Sequence, residues 1–302
     1  MIEKLRQSMI FLRYLGLIAA NKSGLNKRVL LFMFRDYLKL KILNLLPKLF
    51  KSKIDQLSFL GHYFSFFDLK TTTSLIESIF IENEYFFKLK NKKPNIIDLG
   101  SNLGLSIIYF KTLYPNCSID SYEPDPITFE ILSKNIKNYH LRKVTVHNFA
   151  VTNKNGFINF HIDKEGLGSP LMSTHPLRII NKKTIRVKSV RLSKIIKKKV
   201  DFLKMDIEGS ESQVLEDLDS SQKIKLIAQM SIEYHHHIDS KQDNLSKFLK
   251  ILEKNNFGYQ IHAGQNTPFS LQIFEDIQIH AYNKGQYPHP SWFFLLVGQF
   301  SN

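Results

Sequence analysis

Cysteine is nearly absent from this sequence of 302 residues, which contains only Cys117. A single cysteine can form neither an internal disulfide framework nor a cysteine-based zinc cluster. Chains without disulfides are typical of reducing compartments. The first apolar stretch is interrupted by Arg13 and leads to no small-residue cleavage site, so no secretory signal is expected. These absences predict a cytoplasmic protein.

Long apolar runs are also missing. Near the N-terminus the longest unbroken run is the six residues from Val29 to Phe34, whereas a transmembrane helix needs about 20. We therefore expect no membrane-spanning helix. The sequence shows no internal repeat and no low-complexity tract, which excludes solenoid and fibrous architectures.

Acidic residues are scarce: 27 Asp and Glu stand against 42 Lys and Arg, which gives a net charge of +15. Twelve of the basic residues lie in residues 1–54, where Glu3 and Asp36 are the only acids, and residues 182–199 contain no acid. This balance suggests an acidic partner, such as a nucleic acid, an anionic membrane surface or a phosphorylated substrate. The alternative is a lysine-rich composition without a functional cause.

The residue pattern divides the chain into two parts. Residues 1–55 mix apolar and basic residues at helical spacing and predict a basic helical N-terminal extension. This extension either lies on an anionic membrane or a partner, or packs on protein. Residues 56–302 predict a second domain, in which 61–69 is a short strand or hairpin and 72–89 is a helix.

From residue 95 onward strand and helix patterns alternate, which indicates a parallel sheet covered by helices. Residues 157–162 predict a hairpin excursion from this alternation. Residues 184–190 predict a further strand.

The first strand of this region ends in a glycine-rich turn, "DLGSNLG" (98–104). In an open α/β sheet, ligands bind beyond the carboxyl ends of the strands. Gly100 and Gly104 allow a tight turn and the close approach of a flat ligand. A dinucleotide-binding turn would carry a middle glycine, but Ser101 and Asn102 stand there. The turn therefore disfavours a pyrophosphate and leaves room for a ligand without phosphates.

The second strand ends in Glu123, 19 residues past the turn. A carboxylate there can accept hydrogen bonds from both ribose hydroxyls of an adenosine. The alternative is a helix N-cap, a role that suits Asp125 better. Turn and carboxylate together predict a site for S-adenosylmethionine, which carries an adenosine but no phosphate. Asn148 and Ala150, in the loop after the third strand, would then flank the adenine.

A second polar group follows the fourth strand in "LKMDIEGSE" (203–211). Asp206 ends the strand, and strand period puts Glu208 on the same side. These carboxylates could bind substrate, hold the amino group of the cofactor or coordinate a hard cation such as Mg²⁺. The alternative is that Glu208 and Glu211 only favour a helix N-terminus through its dipole. No metal is predicted, and Asp206 and Glu208 are the candidates if Mg²⁺ binds.

The fifth strand ends in "SIEYHHH" (231–237), where Glu233 and His235 fall on one face. A carboxylate beside an imidazole suits general-base catalysis, in which the pair takes a proton from a reacting hydroxyl. Consecutive histidines on a strand point to alternating faces and cannot all chelate one ion, and further zinc ligands are not identifiable. We predict Asp206, Glu233 and His235 as catalytic residues.

Four motifs in order, "IIDLGSNLGLSIIYF", "NFAV", "VDFLKMDIEGSE" and "IEYHH", resemble FkbM-type methyltransferases over roughly residues 60–235. The resemblance implies the α/β fold of class I methyltransferases. This fold is a Rossmann-like three-layer sandwich with a mostly parallel seven-stranded sheet, whose antiparallel last strand would be 292–297. The resemblance also implies S-adenosylmethionine as the cofactor. The implied cofactor-binding residues are Tyr85, Asp98, Gly100, Ser101, Asn102, Gly104 and Glu123, to which the residue pattern adds Asn148, Ala150 and Asp206.

FkbM-type enzymes usually methylate oxygens, often on sugars or polyketide-type products. We therefore expect O-methylation of a sugar hydroxyl on a glycan, a glycolipid or a similar secondary-metabolite acceptor. With such an acceptor, one open role of the basic N-terminus is peripheral contact with anionic membrane, where it would attract anionic lipid or phosphorylated intermediates. A nucleic-acid methyltransferase is disfavoured, because the fourth strand ends in "DIEG" and no RNA-binding module is recognisable. A non-catalytic binding protein on the same scaffold is disfavoured by the intact Gly100, Gly104, Glu123 and Asp206.

Overall fold

The computed structural model describes residues 2–45, 54–163, 182–236, 244–263 and 275–286. These residues belong to two compact units. The helical unit comprises Met1–Phe86, Leu103–Pro115 and Glu130–Arg142, and the sheet unit comprises Phe87–Asn102, Asn116–Phe129 and Lys143–Asn302.

The helical unit contains most of the N-terminal part of the chain. Its elements in chain order are α1 (Ile2–Ala20), α2 (Lys27–Leu45), β1 (Gln56–Phe59), β2 (His62–Ser65), α3 (Leu69–Ile76), a π-helical turn (Glu77–Ile81) and α4 (Leu105–Leu113). The helix α5 (Pro126–Asn138) belongs to it from Glu130 onward. The helical N-terminal extension that the sequence predicts is therefore present. Among the described residues, no helix combines the length and the apolar character that crossing a membrane requires.

The hairpin of β1 and β2 turns at Leu60 and Gly61, whose φ angles are 51° and 86°. Two consecutive residues with positive φ form the turn type that matches the twist of paired strands. The buried carboxylate of Asp36 holds this turn by accepting a hydrogen bond from the Leu60 amide at 2.8 Å. The hairpin predicted at 61–69 thus begins earlier. The helix predicted at 72–89 starts at Leu69, where Asp68 caps it, and its π-helical continuation ends at Ile81.

The sheet unit carries the alternating strands and helices. Its elements are β3 (Asn95–Leu99), β4 (Ser118–Tyr122), β5 (Val144–His147), β6 (Ala150–Thr152), β7 (Gly156–Asp163), β8 (Lys182–Arg191), α6 (Leu192–Ile195), β9 (Val200–Met205), α7 (Glu211–Ser220), a 3₁₀ turn (Lys223–Leu226), β10 (Ile227–His236), α8 (Leu245–Lys254), β11 (Phe257–Ala263) and β12 (Glu275–Asn283).

Seven of these strands form one sheet in the order β11-β12-β10-β9-β3-β4-β5. The five strands from β10 to β5 pair in parallel, and β12 runs antiparallel to both of its neighbours. Every residue of β9 is buried, as expected for a central parallel strand covered on both faces. The predicted α/β class I methyltransferase fold is confirmed.

One detail of the sheet unit differs from the sequence prediction, and a second adds to it. The antiparallel strand is β12, a segment with no predicted strand, whereas the candidate at 292–297 lies outside the described residues. The predicted excursion at 157–162 is β7, and it pairs with β8 in a separate sheet of order β6-β8-β7. The segment 184–190 therefore belongs to this small sheet.

The register of the large sheet brings several chain segments to one edge. Leu99 at the end of β3 pairs with Tyr122 at the end of β4 and with Met205 at the end of β9. Met205 in turn pairs with Ile232, near the end of β10. The residues that follow these strands therefore meet at the carboxyl edge, where open α/β sheets bind ligands.

Candidate active site at the carboxyl edge of the sheet

The glycine-rich turn after β3 is fixed by its neighbours. Gly100 has a φ of 76°, and a Cβ atom there would lie 1.8 Å from the carbonyl oxygen of Asp206. The amides of Gly100 and Ser101 both donate to the Tyr122 carbonyl, at 2.9 and 3.2 Å. Only glycine satisfies this backbone angle and this close approach. The backbone of the turn is therefore held in one conformation at the end of β3.

Two predicted cofactor residues, Gly104 and Tyr85, belong to the helical unit. Gly104 begins α4 with a φ of 94°, and a Cβ atom there would lie 2.8 Å from the Cδ1 atom of Leu132. Tyr85 is buried, with its ring centroid 6.4 Å from that of Phe110. Both residues therefore have a structural role within their own unit.

Glu123 lies at the end of β4 and is 3% exposed. The Asn102 amide donates to its Oε2 atom at 2.9 Å, and the Asp125 amide donates to its Oε1 atom at 3.0 Å. Burial raises the pKa of Glu123 to about 8, although these amides act in the opposite direction. As predicted, Asp125 caps the next helix, because its Oδ2 atom accepts from the Thr128 amide at 2.8 Å. Glu123 is thus free of the capping role.

The remaining predicted residues of the cofactor region surround this carboxylate. The Asn148 side chain donates to the carbonyls of Glu123 and Pro124, at 2.9 and 3.0 Å. The hydroxyl of Ser101 donates to the Asp98 carbonyl at 3.2 Å. Ala150 is buried at the start of β6. The Asn148 contacts join the end of β5 to that of β4, and the Gly100 and Ser101 amides join the end of β3 to β4 through the Tyr122 carbonyl.

Lys204 is a residue of this region that the sequence analysis did not select. Its buried Nζ atom donates to the Gly100 carbonyl at 2.7 Å and to Asp206 Oδ2 at 3.1 Å, and it lies 3.9 Å from Asp98 Oδ1. Burial alone would lower the pKa of Lys204, but the carboxylates of Asp206 and Asp98 outweigh it and raise that pKa above its usual value. A lysine two residues before Asp206, on the same face of a strand whose other residues apart from Asp201 are apolar, was the available signal.

The predicted catalytic residues meet around His235, whose side chain is 1% exposed. Its Nδ1 atom lies 2.9 Å from Glu211 Oε1. Its Nε2 atom faces carboxylate oxygens of four residues: Glu208 Oε2 at 3.2 Å, Glu233 Oε1 at 3.7 Å, Asp276 Oδ1 at 3.7 Å and Asp206 Oδ1 at 4.0 Å. We call these six residues the His235 cluster. The structure therefore brings together Asp206, Glu233 and His235.

Glu211 organises the loop that supplies part of the His235 cluster. Besides facing His235, its Oε1 atom accepts hydrogen bonds from the Ile207 and Gly209 amides at 3.2 and 3.1 Å. The loop needs this support because Glu208 has a φ of 57°, in the left-handed region that side chains other than glycine rarely adopt. Glu211 stands in the first turn of α7, as the dipole interpretation expects. Its contacts add a positioning role to that interpretation.

Asp276 is the member of the cluster that sequence reasoning missed. It lies on β12 directly opposite His235 in the strand register, so both side chains project from the same face. Because no strand was predicted at 275–283, nothing paired this acid with the histidine. Of the histidines that follow, the side chain of His236 and all of His237 lie outside the described residues.

Strand order, glycine turn and carboxyl-edge acids together define a class I methyltransferase-type α/β enzyme. The family described as "Methyltransferase FkbM domain" matches residues 98–261, more than half of the chain. The chain therefore belongs to the FkbM methyltransferase family, and its enzyme class is that of the methyltransferases.

Two curated relatives and one solved structure are similar to this chain. Methyltransferase 1 of Beauveria bassiana (strain ARSEF 2860) is 25% identical over 218 residues, which cover 66% of this chain and 86% of the relative. Methyltransferase sdnD of Sordaria araneosa is 25% identical over 183 residues, which cover 48% and 71%. The crystal structure of a methyltransferase FkbM from Methylobacillus flagellatus KT aligns with a TM-score of 0.42 and 17% identity. That alignment covers 70% of this chain and about half, 52%, of the other.

Proposed function

We propose that this protein transfers a methyl group from S-adenosylmethionine to a sugar hydroxyl of a glycan, a glycolipid or a similar secondary-metabolite acceptor. The observation that carries the proposal is the pair of adjoining polar regions on one sheet edge. One is the Glu123 region beside the glycine turn, and the other is the His235 cluster. Lys204 links them through its contacts with Gly100 and Asp206.

The residues beside the glycine turn fit S-adenosylmethionine in their chemistry. The Glu123 carboxylate uses one hydrogen bond from the backbone on each oxygen, so each oxygen keeps a further lone pair for a ribose hydroxyl. The Oδ1 atom of Asn102 is a buried acceptor that has no hydrogen-bond partner in the described part of the chain. Buried polar atoms are normally satisfied. A ligand with hydroxyl and amino donors would satisfy both residues.

Methyl transfer makes modest demands on the protein. S-adenosylmethionine supplies a methyl group already activated on a sulfonium sulfur, so alignment of the acceptor carries much of the rate enhancement. The carboxylates of the His235 cluster would hold the acceptor hydroxyl. We assign proton removal to Glu233 and His235, whose Oε1 and Nε2 atoms are 3.7 Å apart. General-base assistance contributes about 10²–10⁴-fold.

The proposal is tested with the purified protein and S-adenosylmethionine labelled in its methyl group. Incubation with glycan and glycolipid extracts should place label on a sugar oxygen, as an ether that resists mild alkali. Glu233→Gln should lose this transfer while S-adenosylmethionine still binds in calorimetry. Labelling confined to RNA or DNA would overturn the assignment of the acceptor, and absence of S-adenosylmethionine binding would overturn the assignment of the cofactor.

A further inference from the structure

The His235 cluster combines one imidazole with five carboxylates. The carboxylate oxygens converge on its Nε2 atom from 3.2 to 4.0 Å and on its Nδ1 atom at 2.9 Å. Carboxylates gathered at such distances repel one another unless a cation lies among them. Lys204 supplies one positive charge, 3.1 Å from Asp206 Oδ2, and a divalent cation among the carboxylates would reduce their mutual repulsion further.

We propose that Asp206, Glu208 and His235 bind a divalent cation of the Mg²⁺ and Mn²⁺ class. Each of the three offers one ligand atom, and these atoms lie within 4.8 Å of one another. Ligands on opposite sides of an octahedral Mg²⁺ are about 4.2 Å apart, so the three atoms can converge on one ion with small side-chain movements. Carboxylate oxygens suit both Mg²⁺ and Mn²⁺. The imidazole nitrogen favours Mn²⁺ over Mg²⁺, because Mn²⁺ accepts nitrogen ligands more readily.

The position of Glu211 supports this assignment. A metal-bound histidine typically donates its other ring nitrogen to a carboxylate, which fixes the tautomer and the ring orientation. Here Glu211 Oε1 lies 2.9 Å from Nδ1, and in the tautomer that donates from Nδ1 to Glu211 the lone pair of Nε2 faces Asp206 and Glu208. Glu211 also fixes the loop that carries Glu208, through the Ile207 and Gly209 amides. One carboxylate therefore orients two of the three ligands.

The ion would sharpen the mechanism. Three protein ligands leave positions for water or an acceptor hydroxyl, whose proton a divalent cation loosens. The Nε2 atom of His235 cannot hold the cation and accept a proton at once. With the cation bound, Glu233 would therefore accept the proton without His235. This catalytic role rests on the proposed function, whereas the binding of the ion does not.

The test is a titration of the metal-depleted, full-length protein with Mn²⁺. Binding is measured as the loss of the electron paramagnetic resonance signal of free Mn²⁺. We expect one Mn²⁺ per chain, displaced by excess Mg²⁺. His235→Ala and Glu208→Gln should each weaken binding by about tenfold or more. The control variant Glu216→Gln also removes one negative charge, but Glu216 lies on α7, pairs with Lys247 and is not one of the three ligands. It should therefore leave Mn²⁺ binding unchanged.

Further variants separate this inference from its alternatives. Glu123→Gln should bind Mn²⁺ normally, because Glu123 is not among the three ligands. Failure to bind one equivalent, or binding that survives His235→Ala and Glu208→Gln in proteins with normal unfolding curves, would overturn the inference. Should His235→Ala fail to fold, Glu208→Gln carries the test. Methyl transfer undiminished in excess EDTA would refute the role of the ion, while Mn²⁺ binding without methyl transfer would refute the proposed function alone.

Discussion

Cofactor binding through Glu123 should be coupled to the loss of a proton. Burial raises the pKa of Glu123 to about 8, with Asp125 acting in the same direction and Lys204 in the opposite one. About 1% of these carboxyls are then ionised at pH 6 and about 50% at pH 8. Ribose hydroxyls donate to the ionised form more strongly than to the neutral form. Affinity should therefore rise by about 50-fold between pH 6 and pH 8.

The assay is isothermal titration calorimetry with 5′-methylthioadenosine, which keeps the adenosine of S-adenosylmethionine but has no group that titrates in this range. In Glu123→Gln the side chain stays neutral, so binding should be weaker at pH 8 and nearly independent of pH. Heats measured in buffers of different ionisation enthalpy should show close to one proton released at pH 6. An affinity of the unaltered protein that does not change from pH 6 to 8 would refute the ionisation argument.

The same carboxyl affects the stability of the protein without cofactor. Its pKa is raised from 4.5 in an exposed reference to about 8 in the folded state, so the folded protein binds more protons than the unfolded chain between these values. The contribution of Glu123 to the free energy of unfolding therefore falls as the pH rises from about 4.5 to 8. Glu123→Gln should remove this fall, which urea unfolding across the range will detect. If the free energy of unfolding of Glu123→Gln depended on pH as that of the unaltered protein does, the burial assigned to Glu123 would be contradicted.

Three further perturbations test other parts of the structure. Gly100→Ala should cost more than about 4 kcal/mol or prevent folding, because its Cβ atom would overlap a backbone oxygen; normal thermal unfolding would contradict this. Lys204→Met should destabilise by about 3–5 kcal/mol, because two carboxylates beside it lose their counter-charge, whereas the exposed Lys225→Met should change little. If the basic helical extension contacts anionic membrane, the protein should sediment with phosphatidylserine vesicles. Leu12 and Leu31 are exposed, so Leu12→Glu and Leu31→Glu should each reduce vesicle binding. Equal binding to neutral vesicles would argue against contact with anionic membrane.

Local chemistry made the carboxyl edge of the sheet predictable. The glycine turn, Glu123 and the "DIEG" loop each follow a predicted strand, and parallel strands bring their carboxyl ends together. The pairing of Glu233 with His235 followed from strand period alone, because residues two apart share a face. These inferences needed only neighbours in sequence and the general rule for open sheets.

Long-range pairing was what the sequence could not supply. Asp276 comes to His235 through the antiparallel register of β12, across 41 positions of sequence. Lys204 was overlooked because a lysine in a strand ordinarily marks an exposed or edge position, whereas here three polar contacts hold it inside the sheet unit. The helix predicted at 72–89 ended early because a π-helical turn terminates it at Ile81, which residue periodicity does not encode.

Calorimetric titration of the purified protein with S-adenosylmethionine, and separately with NAD, tests the central claim most directly. The proposed site predicts one S-adenosylmethionine per chain, binding weakened by Glu123→Gln, and no measurable binding of NAD, because the turn lacks the middle glycine of a pyrophosphate loop. Tight binding of NAD without binding of S-adenosylmethionine would contradict the proposed function.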